Sequence, residues 1–168
     1  MTWSYTPYML TALLSALISV GVAVMVWRRR SVPGAVSFIG LMGAIAWWSF
    51  VYVLELASTD LETMVLLAQL EYIGIVVVPV FWLRFVLSYT GRAGEINWRH
   101  KVLLFGIPAI TLLLVFTNPF HQLIWETVAV DDQGPLVTLA VTHGSWFWIH
   151  TSFSYLLMLV STVMMGAF

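Results

Sequence analysis

The stretch YMLTALLSALISVGVAVMVWRRR, Tyr8 to Arg30, decides the fold. Its uncharged, mostly apolar part, Tyr8 to Trp27, gives way at once to Arg28, Arg29 and Arg30. A span needs roughly 20 apolar residues to cross the hydrocarbon core, and this run has that length. The residues before it carry no cationic segment, so it does not read as a cleavable signal peptide. With the positive charges after the run, the span is expected to enter with its N-terminus outside and its arginines in the cytoplasm.

The rest of the chain repeats that asymmetry. The other basic residues, Arg84, Arg92, Arg99 and Lys101, lie around the end of the third apolar run. Of the acids, only Glu95 shares their territory; Glu55, Asp60, Glu62, Glu71, Glu126, Asp131 and Asp132 lie in or beside the opposite loops. Further spans are expected over about 35–54, 63–89, 102–116 and 146–168, by the same length criterion. The fold class is therefore an all-α polytopic membrane protein of five transmembrane helices, one domain over residues 1–168, with its N-terminus outside.

Ser31-Val32-Pro33-Gly34 reads as a turn. Ser58 or Thr59 is the expected N-cap of the third span, with acids in its first turn. Thr90 to Lys101 reads as a short, basic inner loop. The one long connection runs from Asn118 to Ser145. Its NPFHQLIW start reads as a helix end followed by one or two amphipathic turns on the membrane surface. Two β-branched runs, Thr127 to Val130 and Leu136 to Val141, flank the turn cluster Asp131 to Pro135 and predict a short extracytoplasmic β-hairpin between spans four and five. The chain stops at Phe168 directly after an apolar run, which reads as a piece of a longer protein.

Composition sets the class. Charged residues are 9% of the chain and hydrophobic ones 61%, and the mean hydropathy is +0.94. Lipid must solvate that surface, because a soluble fold of this length cannot hide it. The net charge of −1 offers no field for nucleic acid. The absence of cysteine excludes disulfides, thiolate metal sites and cysteine catalysis.

An ionisable residue inside a membrane is a functional hypothesis by default. Glu71, in the outer half of the third span, is the clearest case: a carboxylate for a cation, an amine or a proton, or else a bond to a neighbouring helix. Gln69 and Glu71 point about 200° apart on a helix, so they need different partners. Arg84 lies about 20 Å from Glu71 along the axis and cannot pair with it; snorkelling to headgroups explains it. His121, His143 and His150 gather on the outer side, without the spacing of a metal or haem set. No metal or other cofactor is expected. Hydrogen bonds at the outer rim are the plainer role for His121 and His150, and proton sensing the sharper one. Trp125, Phe120, Trp146, Phe147 and Trp148 are either the lining of an apolar pocket or an interfacial belt. Pro79 and Pro108 should bend their helices. Gly40, Gly43, Ala44 and Ala46 give the second helix a small-residue contact face. The only lysine is Lys101 at an interface, so a mid-membrane Schiff base is excluded, and neither a nucleotide loop nor a catalytic triad occurs. The chain is not expected to be an enzyme by itself.

Three blocks together resemble a known family. FWLRFVLSYTGR (Phe81–Arg92), IPAITLLLVFTNPFHQLIW (Ile107–Trp125) and HGSWFWIHTSFSYLL (His143–Leu157) are similar, in order and spacing, to the seven-transmembrane N-terminal region of sensor histidine kinases. The resemblance covers about the whole chain, less two spans and any output domain. It implies a sensory input module in a prokaryotic plasma membrane, coupled in a longer parent chain to a cytoplasmic kinase, PAS or cyclase-type output. Asn118, Pro119, His121, Trp125, Gly144, Trp146, Trp148 and His150 correspond to its recurring positions. Glu71, His121, Trp125, Trp146, Trp148 and His150 are accordingly the residues expected to shape a ligand site, with Asn118, Pro119 and Gly144 structural. The expected partners are the bilayer, a small ligand or proton on the outer side, the output domain in cis, and a second copy in a homodimer. The alternative is a stand-alone membrane scaffold or small permeation component. The apolar centres of the spans disfavour transport, which uses a polar path at the midplane.

Overall fold

Pro79 divides the central span. The computed structural model describes residues 5–95, 97–134 and 137–168. Its helices are α1 (Tyr8–Trp27), α2 (Ala35–Ala57), α3 (Leu61–Ile75), α4 (Val78–Tyr89), α5 (Trp98–Phe116) and α6 (Ser145–Gly166). The strands β1 (Trp125–Asp131) and β2 (Thr138–His143) lie between α5 and α6. Five segments are long and apolar enough to cross a membrane: α1, α2, the run Leu61–Tyr89, α5 and α6. A proline has no N–H to offer the carbonyl four residues back, here Ile75, so the third span breaks at Val76–Val77 into α3 and α4 instead of running as one helix. Pro108 sits inside α5 without ending it.

Side-chain caps start two of the other helices, α3 and α5. Asp60, not Ser58 or Thr59, caps α3: its carboxylate accepts from Thr63 N at 3.1 Å and Thr63 Oγ1 at 2.8 Å. Those bonds hold the exposed Asp60 carboxyl below the usual carboxylate range. Ser58 instead closes α2, donating its N–H to the Leu54 and Glu55 carbonyls. Asn97 caps α5 by accepting from His100 N at 3.1 Å, so Trp98 to Lys101 form the first helical turn rather than a loop. Ile96, in that expected loop, lies outside the described residues. Gly34 starts α2 at φ +84°, where a side chain would be strained and would press on the Phe85 ring.

The bundle has two distinct ends. Arg28–Arg30, Gly34 against Phe85, and Tyr89 against Phe168 (rings 5.8 Å apart) mark a basic end. The hairpin marks the other. α1 and α2 run antiparallel, joined by the Ser15–Ser49 bond (3.1 Å), whereas the central span and α6 run the same way, with Tyr72 facing His150 and Tyr89 facing Phe168. One apolar cluster near the hairpin holds Tyr72, Val76, Val115, Ile124 and Trp125. A second, toward the basic end, holds Val80, Leu83, Leu87 and Leu104, with Phe153 and Leu157 against it. The central span α3–α4 runs through both. Elsewhere the apolar side chains point outward, as Leu14, Leu17 and Ile18 on α1 and Leu156, Leu159 and Val163 on α6 do, which suits lipid contact. The small-residue face of α2 is used at Gly40, where Phe81 packs, and at buried Ala44 and Ala46, whereas Gly43 faces open space.

The hairpin registers Thr127 with Thr142 and Asp131 with Thr138, and a bulge at Glu126 re-aims Trp125 opposite His143. Its strands are longer on their outer flanks than the expected runs. Pro135 and Leu136, expected in the turn and the second run, lie outside the described residues. Of the one or two surface turns expected at NPFHQLIW, only Asn118–Phe120 forms. Gln122 then takes φ +56° and the chain dives inward, so that Ile124 and Trp125 are buried. Burying those two side chains outweighs lying flat at the interface.

Candidate functional site

The inward dive is held by Asn118. Its buried side-chain oxygen accepts from Ile124 N (3.0 Å) and Trp125 N (3.1 Å), and its amide donates to Trp125 O (2.9 Å). One side chain thus satisfies three backbone groups that burial would otherwise strand. Pro119 sits inside the short turn that aims Asn118. Gly144 closes the other side: its N–H donates to Ile124 O (2.8 Å), and a Cβ there would collide with the Gln122 and Leu123 carbonyls. His121 is occupied locally. Its Nδ1 accepts from Leu123 N (3.1 Å), so in the neutral ring Nε2 carries the proton and donates to Thr117 Oγ1 (3.0 Å).

What this framework presents is Trp125. The Trp125 ring stands edge-on to Tyr72 of α3, with centroids 5.7 Å apart. On α6, the buried His150 lies 6.4 Å from the same Tyr72 ring and within 3.4 Å of Ser154 Oγ. Trp146 packs against this cluster and donates its indole N–H to Thr111 Oγ1 of α5 at 3.0 Å. Tyr72 is therefore the hub at which the hairpin, α3 and α6 meet.

The expected site residues divide accordingly. Trp125 and His150 converge on Tyr72, and Trp146 packs against the same cluster. Trp148 does not: it is 59% exposed, and its ring meets Phe147 of its own helix and His143 at the end of β2. Phe120 is 90% exposed. Those two have the exposure of an interfacial belt, whereas Trp125 is buried and Trp146 packs against the apolar cluster. Gln69 and Glu71 do take different partners. Gln69 donates to Val115 O of α5 (3.2 Å), while Glu71 accepts from Trp48 Nε1 of α2 (3.1 Å). Glu71 therefore faces away from His121 and the hairpin. The Tyr72 hub and the α2 partners of Glu71 were missed because a lone Tyr, Trp or Glu inside an apolar run has no spacing signal. Between the hairpin and α3 lies a crevice of about 170 Å³ lined by Gln69, Asn118, Gln122, Trp125 and Glu126, among others. Among the described residues, no three metal-ligating side chains come together.

The model of the N-terminal 7TM region of histidine kinase matches residues 11–168. The chain belongs to that family. This 7TM region is a multi-pass membrane sensor segment and not a catalytic domain, so the chain is not an enzyme on its own. No curated protein and no solved structure matches the chain. The histidine kinase 7TM assignment gives the three sequence blocks a physical reading. The Asn-Pro-x-His block builds the clasp, the Gly-x-Trp block seats α6 on it, and the third block is the half of the central span below the break.

Proposed function

We propose that the chain receives a stimulus for a histidine kinase, with its hairpin end outside the cytoplasm and its basic end on the cytoplasmic side. The confinement of the arginines and the lysine to the basic end supports that orientation. Five candidate spans, against the seven in the family's description, support a longer parent polypeptide that supplies further spans and a cytoplasmic kinase output.

One observation carries the mechanism: Trp125 of the hairpin rests on Tyr72, one turn before the break at Val76–Val77. A small hydrogen-bonding or cationic solute would suit the amides and the Glu126 carboxylate of the hairpin crevice. Binding there favours one seating of the hairpin over another. A ligand shifts an equilibrium by as much as its affinities for the two states differ. Movement of α3 about the break is then passed to α4, which packs on α6.

The test is disulfide crosslinking between cysteines introduced at Leu83 and Leu157, across a panel of external solutes and pH values. A rate that responds to at least one condition is expected. A rate constant under all of them contradicts the sensory reading.

A further inference from the structure

The contact between α2 and α3 holds a second feature. The two helices approach so closely that a Cβ on Gly74 would lie 2.6 Å from the Ala44 carbonyl and 3.1 Å from Trp48 Cβ. Two successive tryptophans bind α3 across this contact: Trp47 Nε1 donates to Leu70 O (2.8 Å) and Trp48 Nε1 to Glu71 Oε2 (3.1 Å). Glu71 is only 7% exposed, and its Oε1 is fully buried with no hydrogen-bond donor among the described residues. The group within hydrogen-bonding reach of the Glu71 carboxyl is another carboxyl, that of Glu55 in the last turn of α2.

Among the described residues, the surroundings supply no positive charge. From α2 come Trp48, Tyr52 and Glu55, with Tyr52 close to both acids. From α3 comes Tyr72, the next residue to Glu71. His150 of α6 stands beyond the Tyr72 ring. Residues 8–27 of α1 carry no charge at all. The nearest basic residue along the central span is Arg84, roughly 20 Å from Glu71.

Ionised carboxylates only accept hydrogen bonds, so a bond between Glu55 and Glu71 exists only with a proton on one of them. Both ionised, they would face each other as like charges, with Glu71 almost wholly cut off from water. With one proton, the repulsion becomes a charge-assisted O–H···O bond, among the stronger kinds. The remaining negative charge keeps the Trp48 N–H.

We propose that Glu55 and Glu71 form a one-proton binding site inside the α2–α3 contact, and that loss of its proton loosens that contact. Glu55, half-buried and nearest the hairpin end, exchanges the proton with water on that side; Glu71 anchors it. The only bond made or broken is the carboxyl O–H, with water as the proton's source and acceptor. The pair's use as an input rests on the sensory reading above; its existence does not.

The experiment is infrared spectroscopy of the chain in lipid nanodiscs over a pH titration, in sodium, potassium and choline salts. The wild type should show a protonated-carboxyl stretch that disappears as pH rises, with the same midpoint in all three salts. Glu71→Gln and Glu55→Gln should each abolish the band or move its midpoint by about one pH unit or more, as expected when a strongly coupled partner is removed. Circular dichroism confirms folding of each variant. Trp48→Phe, which removes a donor to the ionised form and leaves both acids, should move the midpoint to higher pH. Glutamine variants that titrate like the wild type overturn the proposal, as does a midpoint that follows sodium or potassium, the signature of a cation site. A titrating pair with an unresponsive Leu83–Leu157 crosslink overturns the sensory reading alone. A responsive crosslink without a titrating pair overturns this proposal alone.

Discussion

Replacing Asn118 with alanine should release the hairpin from the bundle. The substitution deletes the three bonds to Ile124 N, Trp125 N and Trp125 O, all in a buried setting. At a net value near 1 kcal/mol for each intramolecular hydrogen bond, the local loss is about 3 kcal/mol. Each stranded buried group would raise this by roughly 1–2 kcal/mol if water failed to reach it. A loss of about 3 kcal/mol multiplies the open population by roughly two decades. Native-state amide exchange at Ile124 and Trp125 reads that population directly. Asn118→Ala should speed exchange at both amides about a hundredfold, while amides in the centre of α2 stay unchanged. Exchange at Ile124 and Trp125 that stays within about threefold of wild type in Asn118→Ala would refute the clasp as the element that holds the hairpin.

Three further outcomes are expected. Gly144→Ala forces a Cβ against the Gln122 and Leu123 carbonyls and should destabilise by about 1–3 kcal/mol, whereas Gly43→Ala, into open space, should not; thermal melts in detergent compare them. Pro79→Ala restores an N–H that can bond Ile75 O, so exchange protection should extend across Val76–Val77 and the Leu83–Leu157 crosslink should lose its response. The Asp60 cap should show a pH dependence of defined sign. Because the folded-state carboxyl is held below its usual range, its stabilisation is present above about pH 4, the unfolded value, and is lost as pH falls through the lower folded value. The melting difference between wild type and Asp60→Ala should therefore be clear at neutral pH and vanish in strong acid.

Residues that act through length, charge and covalent geometry made most of the fold legible in the sequence. Tyr8–Trp27 appears with the expected bounds, and the end of α2 moved only from residue 54 to Ala57. Pro79 marked the bend, because a missing N–H acts whatever surrounds it. Competition between neighbouring side chains was less legible. Ser58, Thr59 and Asp60 are all acceptable caps, and which one is used depends on where α2 stops. Segment 118–125 has the pattern of a surface helix, and only the Asn118 bonds and the space beneath Trp125 turn it inward. Half of the candidate site was legible for the same reason. Trp125, Trp146 and His150 stood out as aromatic or ionisable residues near one end, but Tyr72, Trp48 and Glu55 become informative only once α2 and α3 are side by side.

We propose that all the basic residues face one compartment and the hairpin the other. Because the chain has no cysteine, single cysteines report position without a background. Ser31→Cys beside the arginines and Gln133→Cys at the hairpin tip should be treated, in intact cells, with a membrane-impermeant maleimide. Gln133→Cys should label at once and Ser31→Cys only after the membrane is broken. Prompt labelling of Ser31→Cys in intact cells, with Gln133→Cys protected, would contradict the account.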